Sequence, residues 1–126
     1  MTDPLLISVV DDDESVRESL PDLLKEFGYA AAAFSSAEEF LSSDHLARTR
    51  CLILDIAMPT MSGADLQREL MLRNHHIPIV FITAQDNEVI CREVLQQGAV
   101  ECLSKPFSDD PLQRALNVAL SRDEET

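Results

Sequence analysis

The chain has little positive charge: 10 Lys plus Arg stand against 23 Asp plus Glu in 126 residues, a net charge of −13. Such a field repels nucleic-acid phosphates, so direct DNA or RNA binding by this chain is not expected. No apolar run approaches the roughly 18 residues of a membrane span, and Met1-Thr2-Asp3 lacks the basic start of a secretory signal. The expectation is a cytoplasmic location with no membrane partner. Cysteine is sparse and unpatterned: Cys51, Cys91 and Cys102 form no CxxC or Cys/His ligand spacing, and each reads as a small core side chain. His45, His75 and His76 lie in polar stretches without acids at ligand spacing and are assigned no chemistry. No Ser/Thr/Gly-rich loop follows the first apolar run, where three acids would repel a phosphate, which argues against flavin binding.

What is present alternates. Leu5–Val10 reads as a strand, and Glu14–Phe27 as a helix with Val16, Leu20, Leu23, Leu24 and Phe27 on its apolar spacing and Gly28 at its end. Pro21 sits inside that helix and should kink or strain it, but the apolar periodicity survives on both sides, so the helix is read through it. Ala30–Phe34 is a weaker strand, after which Ser36 and Glu39 suggest a capping box opening a second helix. Cys51–Leu54 and Ile77–Ile82 read as buried strands, the latter with Pro78 near its start. Between them a helix over Gly63–Asn74 carries Leu66, Leu70 and Met71 on one face. Asn87–Gln97, with Asp86 as N-cap and Gly98 beyond its end, is a fourth helix carrying Val89, Ile90, Val94 and Leu95. Ala99–Leu103 is a fifth strand. Ser108-Asp109-Asp110-Pro111 opens a last helix with Leu112, Leu116, Ala119 and Leu120, and residues 122–126 should fray. The expected fold is a single α/β domain over 1–126, a (βα)5 parallel sheet covered by helices on both faces, with no output domain in this chain.

In open parallel sheets ligands bind beyond the carboxyl ends of the strands. Strand one ends in Asp11-Asp12-Asp13, strand three in Asp55, strand four in Thr83 and strand five in Lys105. Asp13 or Glu14 can be explained as a helix cap, but the remaining acids and the lysine converge on one rim. Like charges about 4 Å apart cost about 4 kcal/mol per pair at an effective dielectric near 20, so the cluster calls for a cation. An all-oxygen donor set favours Mg²⁺ or Mn²⁺. A metal, Lys105 and the Thr83 hydroxyl would together suit the oxygens of a phosphoryl group, with Asp55 as nucleophile. Lysine occurs only twice, and Lys105 precedes Pro106, where a cis peptide is affordable.

These residues resemble the receiver domain of two-component response regulators. The resemblance rests on Val10-Asp11-Asp12, on Leu54-Asp55-Ile56-Ala57-Met58-Pro59-Thr60-Met61-Ser62-Gly63, on Ile82-Thr83-Ala84 and on Lys105-Pro106-Phe107, in order over Ile7 to about Leu120. It is most similar to the subgroup containing the nitrogen-fixation transcription regulator. The resemblance implies a flavodoxin-like sheet of order 2-1-3-4-5. It implies that Asp55 accepts a phosphoryl group from a sensor histidine kinase, with Asp12, Asp55 and the Ala57 carbonyl on Mg²⁺ and Asp11 reaching the ion through water. Thr83 and Lys105 would contact the phosphoryl group, and Pro59 and Gly63 would shape the loop. Dimerisation through helix 4, strand 5 and helix 5 on activation is implied as well. A receiver of this kind commonly precedes a helix-turn-helix output domain and controls transcription.

Two positions depart from the family pattern. Cys102 stands where a switching Tyr or Phe is usual, and is read either as a strand residue facing the last two helices or as a functional substitute. With that ring missing, the signal is expected to rely on the segment from Ala84 to Glu88 and on the fourth helix. Pro21 alters the first helix, a kinase-docking surface in the family. Ala57 and Gln85, at positions that tune phosphoryl lifetime, are uncharged. Two other readings remain. One is a degenerate receiver acting only in protein interaction; the other is a haloacid-dehalogenase-like phosphohydrolase using Asp11 and Asp13, which lacks the acidic pair expected late in the sheet.

Overall fold

The computed structural model describes residues 4–84 and 88–124. Its elements run β1 (Leu6–Val10), α1 (Glu14–Glu26), β2 (Ala30–Phe34), α2 (Ala37–Leu41), β3 (Thr49–Asp55), α3 (Gly63–Leu72), β4 (Ile79–Thr83), α4 (Glu88–Gln96), β5 (Glu101–Ser104) and α5 (Asp109–Glu124). A 3-10 turn at Leu46–Arg48, unforeseen from the sequence, leads into β3. All the strand pairings are parallel and the order is β2-β1-β3-β4-β5, the flavodoxin-like arrangement expected.

Because side chains alternate across a strand, the continuous apolar runs divide between two cores. Ile7, Val9, Cys51, Ile53, Val80 and Ile82 meet Leu20 and Leu24 of α1 and Leu112, Leu116 and Ala119 of α5. On the opposite face Val10, Leu52, Leu54 and Phe81 meet Phe40 of α2, Leu66 and Leu70 of α3 and Val94 of α4. Each face is thereby sealed from water, leaving the strand ends as the place where polar groups collect.

Helix α1 continues through Pro21 as one element, as the apolar spacing on both sides of the proline predicts. Several other local expectations change. The Ser36 hydroxyl accepts from the Glu39 amide at 3.1 Å, but the Glu39 carboxylate turns to the backbone and hydroxyl of Ser35, so only half of the expected capping box forms. The complete box belongs to α3, where Ser62 and Asp65 each accept from the other's backbone amide. On α3 the buried polar residue is Gln67, whose Nε2 donates to the Val94 carbonyl at 3.1 Å, while Met71 is exposed. Of the apolar residues expected to anchor α4, only Val94 is fully buried; Val89 and Leu95 face solvent. The proposed cap Asp86 and helix start Asn87, together with Gln85, lie outside the described residues.

The cysteines do not share one role. Cys51 is a buried core residue as expected, but Cys91 of α4 and Cys102 of β5 form a disulfide with Cα atoms 5.8 Å apart. Cys102 therefore packs toward α4 and the α2–α4 core rather than toward both of the last two helices.

Candidate functional site

Four strand ends contribute to one cleft. Asp12, Asp13, Asp55, Ala57, Thr83, Ala84 and Lys105 line an opening of about 350 Å³ at the carboxyl edge of the sheet. The alternation that sends Val10 inward also separates the two adjacent acids: Asp11 is wholly buried and Asp12 is exposed at the rim. Asp13 takes neither position. Its carboxylate accepts from the Ser15 amide at 2.9 Å and caps α1, the structural role that its place before the helix suggested.

Asp11 is the hub of the floor. One carboxylate oxygen accepts from the Asp13 amide at 2.9 Å, and the other lies 2.9 Å from the Lys105 ammonium. The guanidinium of Arg17 donates to the Asp11 carbonyl at 3.0 Å, tying α1 to the end of β1. Sequence reasoning gave Arg17 no part in the site; its spacing one turn and a half beyond Asp11, at the start of an amphipathic helix, was the available signal. On the far side, the Lys105 amide donates to the Thr83 carbonyl at 2.7 Å, joining β5 to β4 where both supply site residues. The Lys105–Pro106 peptide is cis.

Asp55 ends β3 at 5% exposure, with Oδ1 accepting from the Ala57 amide at 3.3 Å. Burial and then the negative charge of Asp11 push its carboxyl up to about 7, while Lys105 and the Ala57 amide pull it down. For Lys105 burial acts downward, but the hydrogen bond and charge of Asp11, with Asp55 and Asp13 adding to them, outweigh it and hold the ammonium above its ordinary range. The site therefore holds a firmly protonated lysine beside an aspartate whose charge its protein surroundings resist.

That resistance is the physical test of whether a cation suits the site. One carboxylate oxygen from each of Asp11, Asp12 and Asp55 lies within 4.8 Å of the others, and crowded all-oxygen donors of this kind fit a hard divalent ion. The acidic cluster is thus a fit for Mg²⁺ on its donors and on the negative charge that Lys105 only partly offsets.

The loop beyond Asp55 is shaped by close packing. A Cβ on Gly63 would clash with the Asp55 carbonyl oxygen and sit 3.0 Å from Ile56 Cα and from the Phe81 ring. The Gly63 amide donates to the Ile56 carbonyl at 2.9 Å, so the start of α3 rests directly under the loop. Between them, Met61 donates to the Pro59 carbonyl at 2.8 Å, and Thr60 adopts a left-handed backbone with φ of 69°. Pro59 thus lies within the loop, while Gly63, the first residue of α3, lies against it. Pro106 follows the lysine and borders a separate groove with Val16, Leu20 and Phe107. Cys102 lies away from the cleft, in β5 against α4.

The sequence profile described as "Response regulator receiver domain" matches residues 7–117. Nodulation protein W of Bradyrhizobium diazoefficiens is 43% identical over 94% of this chain and 52% of its own length. Response regulator protein TodT of Pseudomonas putida is 38% identical over 91% of the chain and 51% of its own length. The chain spans about half the length of these curated relatives. Among solved structures, the crystal structure of FixJ-N is 35% identical with a TM-score of 0.84, covering 96% of each chain.

Proposed function

This chain belongs to the response regulator receiver family, and from that premise we propose that it is a phosphorylation-driven switch in which Asp55 takes a phosphoryl group from a sensor histidine kinase. The observation that carries the reading is the placement of Asp55: a lone carboxylate at a strand end, opening into a cleft that also presents Lys105, Thr83 and Asp12. A carboxylate oxygen of Asp55 attacks phosphorus in line; the phosphorus–nitrogen bond of the phosphohistidine breaks, and the imidazole nitrogen leaves with the electron pair. Lys105 offers its ammonium to an equatorial oxygen and Thr83 its hydroxyl to another. Asp11, buried and paired with Lys105, positions that lysine.

Mg²⁺ or Mn²⁺ would be held by Asp12, Asp55 and the Ala57 carbonyl, with Asp11 through water. When bound it supplies positive charge against the transferring oxygens and favours the ionised form of Asp55. Pro59 and Gly63 fix the loop so that Asp55 and the Ala57 carbonyl keep their relation, and Pro106 follows Lys105 into the turn toward α5.

The domain is read as one receiver filling 1–126, working in the cytoplasm with an attached or partner output domain that controls transcription. It catalyses only its own phosphorylation and dephosphorylation. Exposed Val89 and Leu95 on α4 and Val118 on α5 favour association through helix 4, strand 5 and helix 5 on activation. The phosphohydrolase alternative meets two obstacles: Asp11 is buried and paired with Lys105, and the Asp13 carboxylate is occupied as a helix cap.

Incubation with Mg²⁺ and a small acyl-phosphate donor tests the reading. The native chain should gain one hydroxylamine-labile phosphoryl group and Asp55→Asn none. No uptake by the native chain would leave the degenerate receiver, and equal uptake by both proteins would overturn the assignment of Asp55.

A further inference from the structure

Cys91 and Cys102 come from different elements, α4 and β5, yet their Cα atoms are 5.8 Å apart and their sulfurs are bonded. Both residues are partly exposed, whereas Cys51 is completely buried. A small reagent in solution therefore reaches the pair and not the third cysteine. The helix that carries Cys91 is lightly anchored: Val94 is its one fully buried side chain among the described residues, helped by Ile90 against the α2–α4 core and by the Gln67 hydrogen bond to the Val94 carbonyl. Cys102 also occupies the strand position nearest in the sheet to Phe81, its β4 partner, two residues before Thr83.

We propose that Cys91 and Cys102 are a reversible thiol–disulfide exchange site, taking a small-molecule disulfide such as oxidised glutathione, that ties α4 to β5. One cysteine thiolate attacks a glutathione sulfur and expels glutathione thiolate, leaving a mixed disulfide. The second thiolate then attacks the protein sulfur of that mixed disulfide and releases the other glutathione. Two protein thiols lose two electrons and two protons, and one glutathione disulfide becomes two thiols. A reducing dithiol reverses both steps. Linked, α4 loses freedom to move relative to β5, because a covalent bond supplements its single buried anchor. The chemistry of the pair is independent of phosphorylation; only the consequence for the partner face on α4 and β5 rests on the function proposed above.

The full chain, reduced and then exposed to oxidised glutathione, should lose two thiols when titrated under denaturing conditions. Peptide mapping should show Cys91 joined to Cys102 with Cys51 still a thiol, and dithiothreitol should restore all three thiols. Cys91→Ser, checked for folding by circular dichroism, should instead retain one glutathionyl group on Cys102. Amide hydrogen exchange in α4 should slow by about tenfold in the linked form. Stable glutathionyl groups on both cysteines, a link through Cys51, or unchanged α4 exchange would each overturn the proposal. Asp55→Asn should form the link as readily as the native chain, so a failure of the phosphoryl assay and a failure of the link are separate results.

Discussion

Replacing Asp55 with Asn should make the protein more stable, and by an amount that depends on pH. The Asp55 carboxyl rises from 3.8 to about 7 on folding, first through burial and then through the charge of Asp11. At 1.36 kcal/mol per unit, that difference corresponds to about 4 kcal/mol against the folded state once the group is ionised. The cleft is open to water, so about half of this, ~2 kcal/mol, is the expected effect. Because the folded pKa is the higher one, the folded state binds the proton more tightly than the unfolded chain between pH 4 and pH 7. Stability therefore falls as pH rises through that window and levels off above it. Asn has no such dependence, and its amide can donate to Asp11 as the protonated acid does. Asp55→Asn should gain ~2 kcal/mol at pH 8 with a chelator present, little near pH 4, and less at pH 8 once Mg²⁺ is added. Urea unfolding followed by far-ultraviolet circular dichroism is the suitable assay, since the chain has no tryptophan. A gain of the same size at both pH values would show that packing, not charge, governs the substitution; no gain at pH 8 would refute the electrostatic account of the site.

Other outcomes follow from single contacts. Gly63→Ala should lower stability by about 2 kcal/mol, because the new methyl meets backbone at Asp55 and Ile56 that cannot swing aside; an unchanged urea midpoint would mean the loop yields easily. Asp12→Ala should abolish the rise in thermal midpoint produced by Mg²⁺, whereas Asp22→Ala, on exposed α1 surface, should leave it intact. Equal losses in both would point to bulk charge rather than a site. Ser62→Ala should cost about 1 kcal/mol by removing the hydroxyl that accepts from the Asp65 amide, measured by the same unfolding assay.

The sheet was legible because its central strands β1, β3 and β4 are buried on both faces and so appear as apolar runs, and the cleft was legible because acids, a threonine and a lysine follow the strands. What escaped was mostly polar and mostly inside. Gln67 belongs to no apolar spacing, yet it is buried because a carbonyl on α4 accepts from its side-chain amide. Ser8 and Thr49 share a buried 2.7 Å hydrogen bond across β1 and β3, a pairing set by register that no local pattern announces. The capping box was placed on Ser36 and Glu39 although Ser62-x-x-Asp65 carries a similar spacing; Ser35, one residue earlier, supplies the competitor that draws Glu39 away. The cysteine pair was missed because spacing rules for cysteine look for ligand motifs. Its signal lay in topology: a helix that returns through Gly98 to the adjacent strand brings residues 11 apart face to face. Pro21 is the reverse case: the apolar spacing on either side of it marks one continuous helix, and the packing of Leu20 and Leu24 holds that helix as a single element.

The cleft draws its residues from the ends of β1, β3, β4 and β5, with Asp11 near one end of the chain and Lys105 near the other. During synthesis β5 emerges from the ribosome last among these strands, so until it does Asp11 has no ammonium to pair with and Asp55 has no finished floor beside it. A nascent or truncated chain would then carry Asp55 without the lysine that completes its cleft, and the assembled site would arrive together with the last strand.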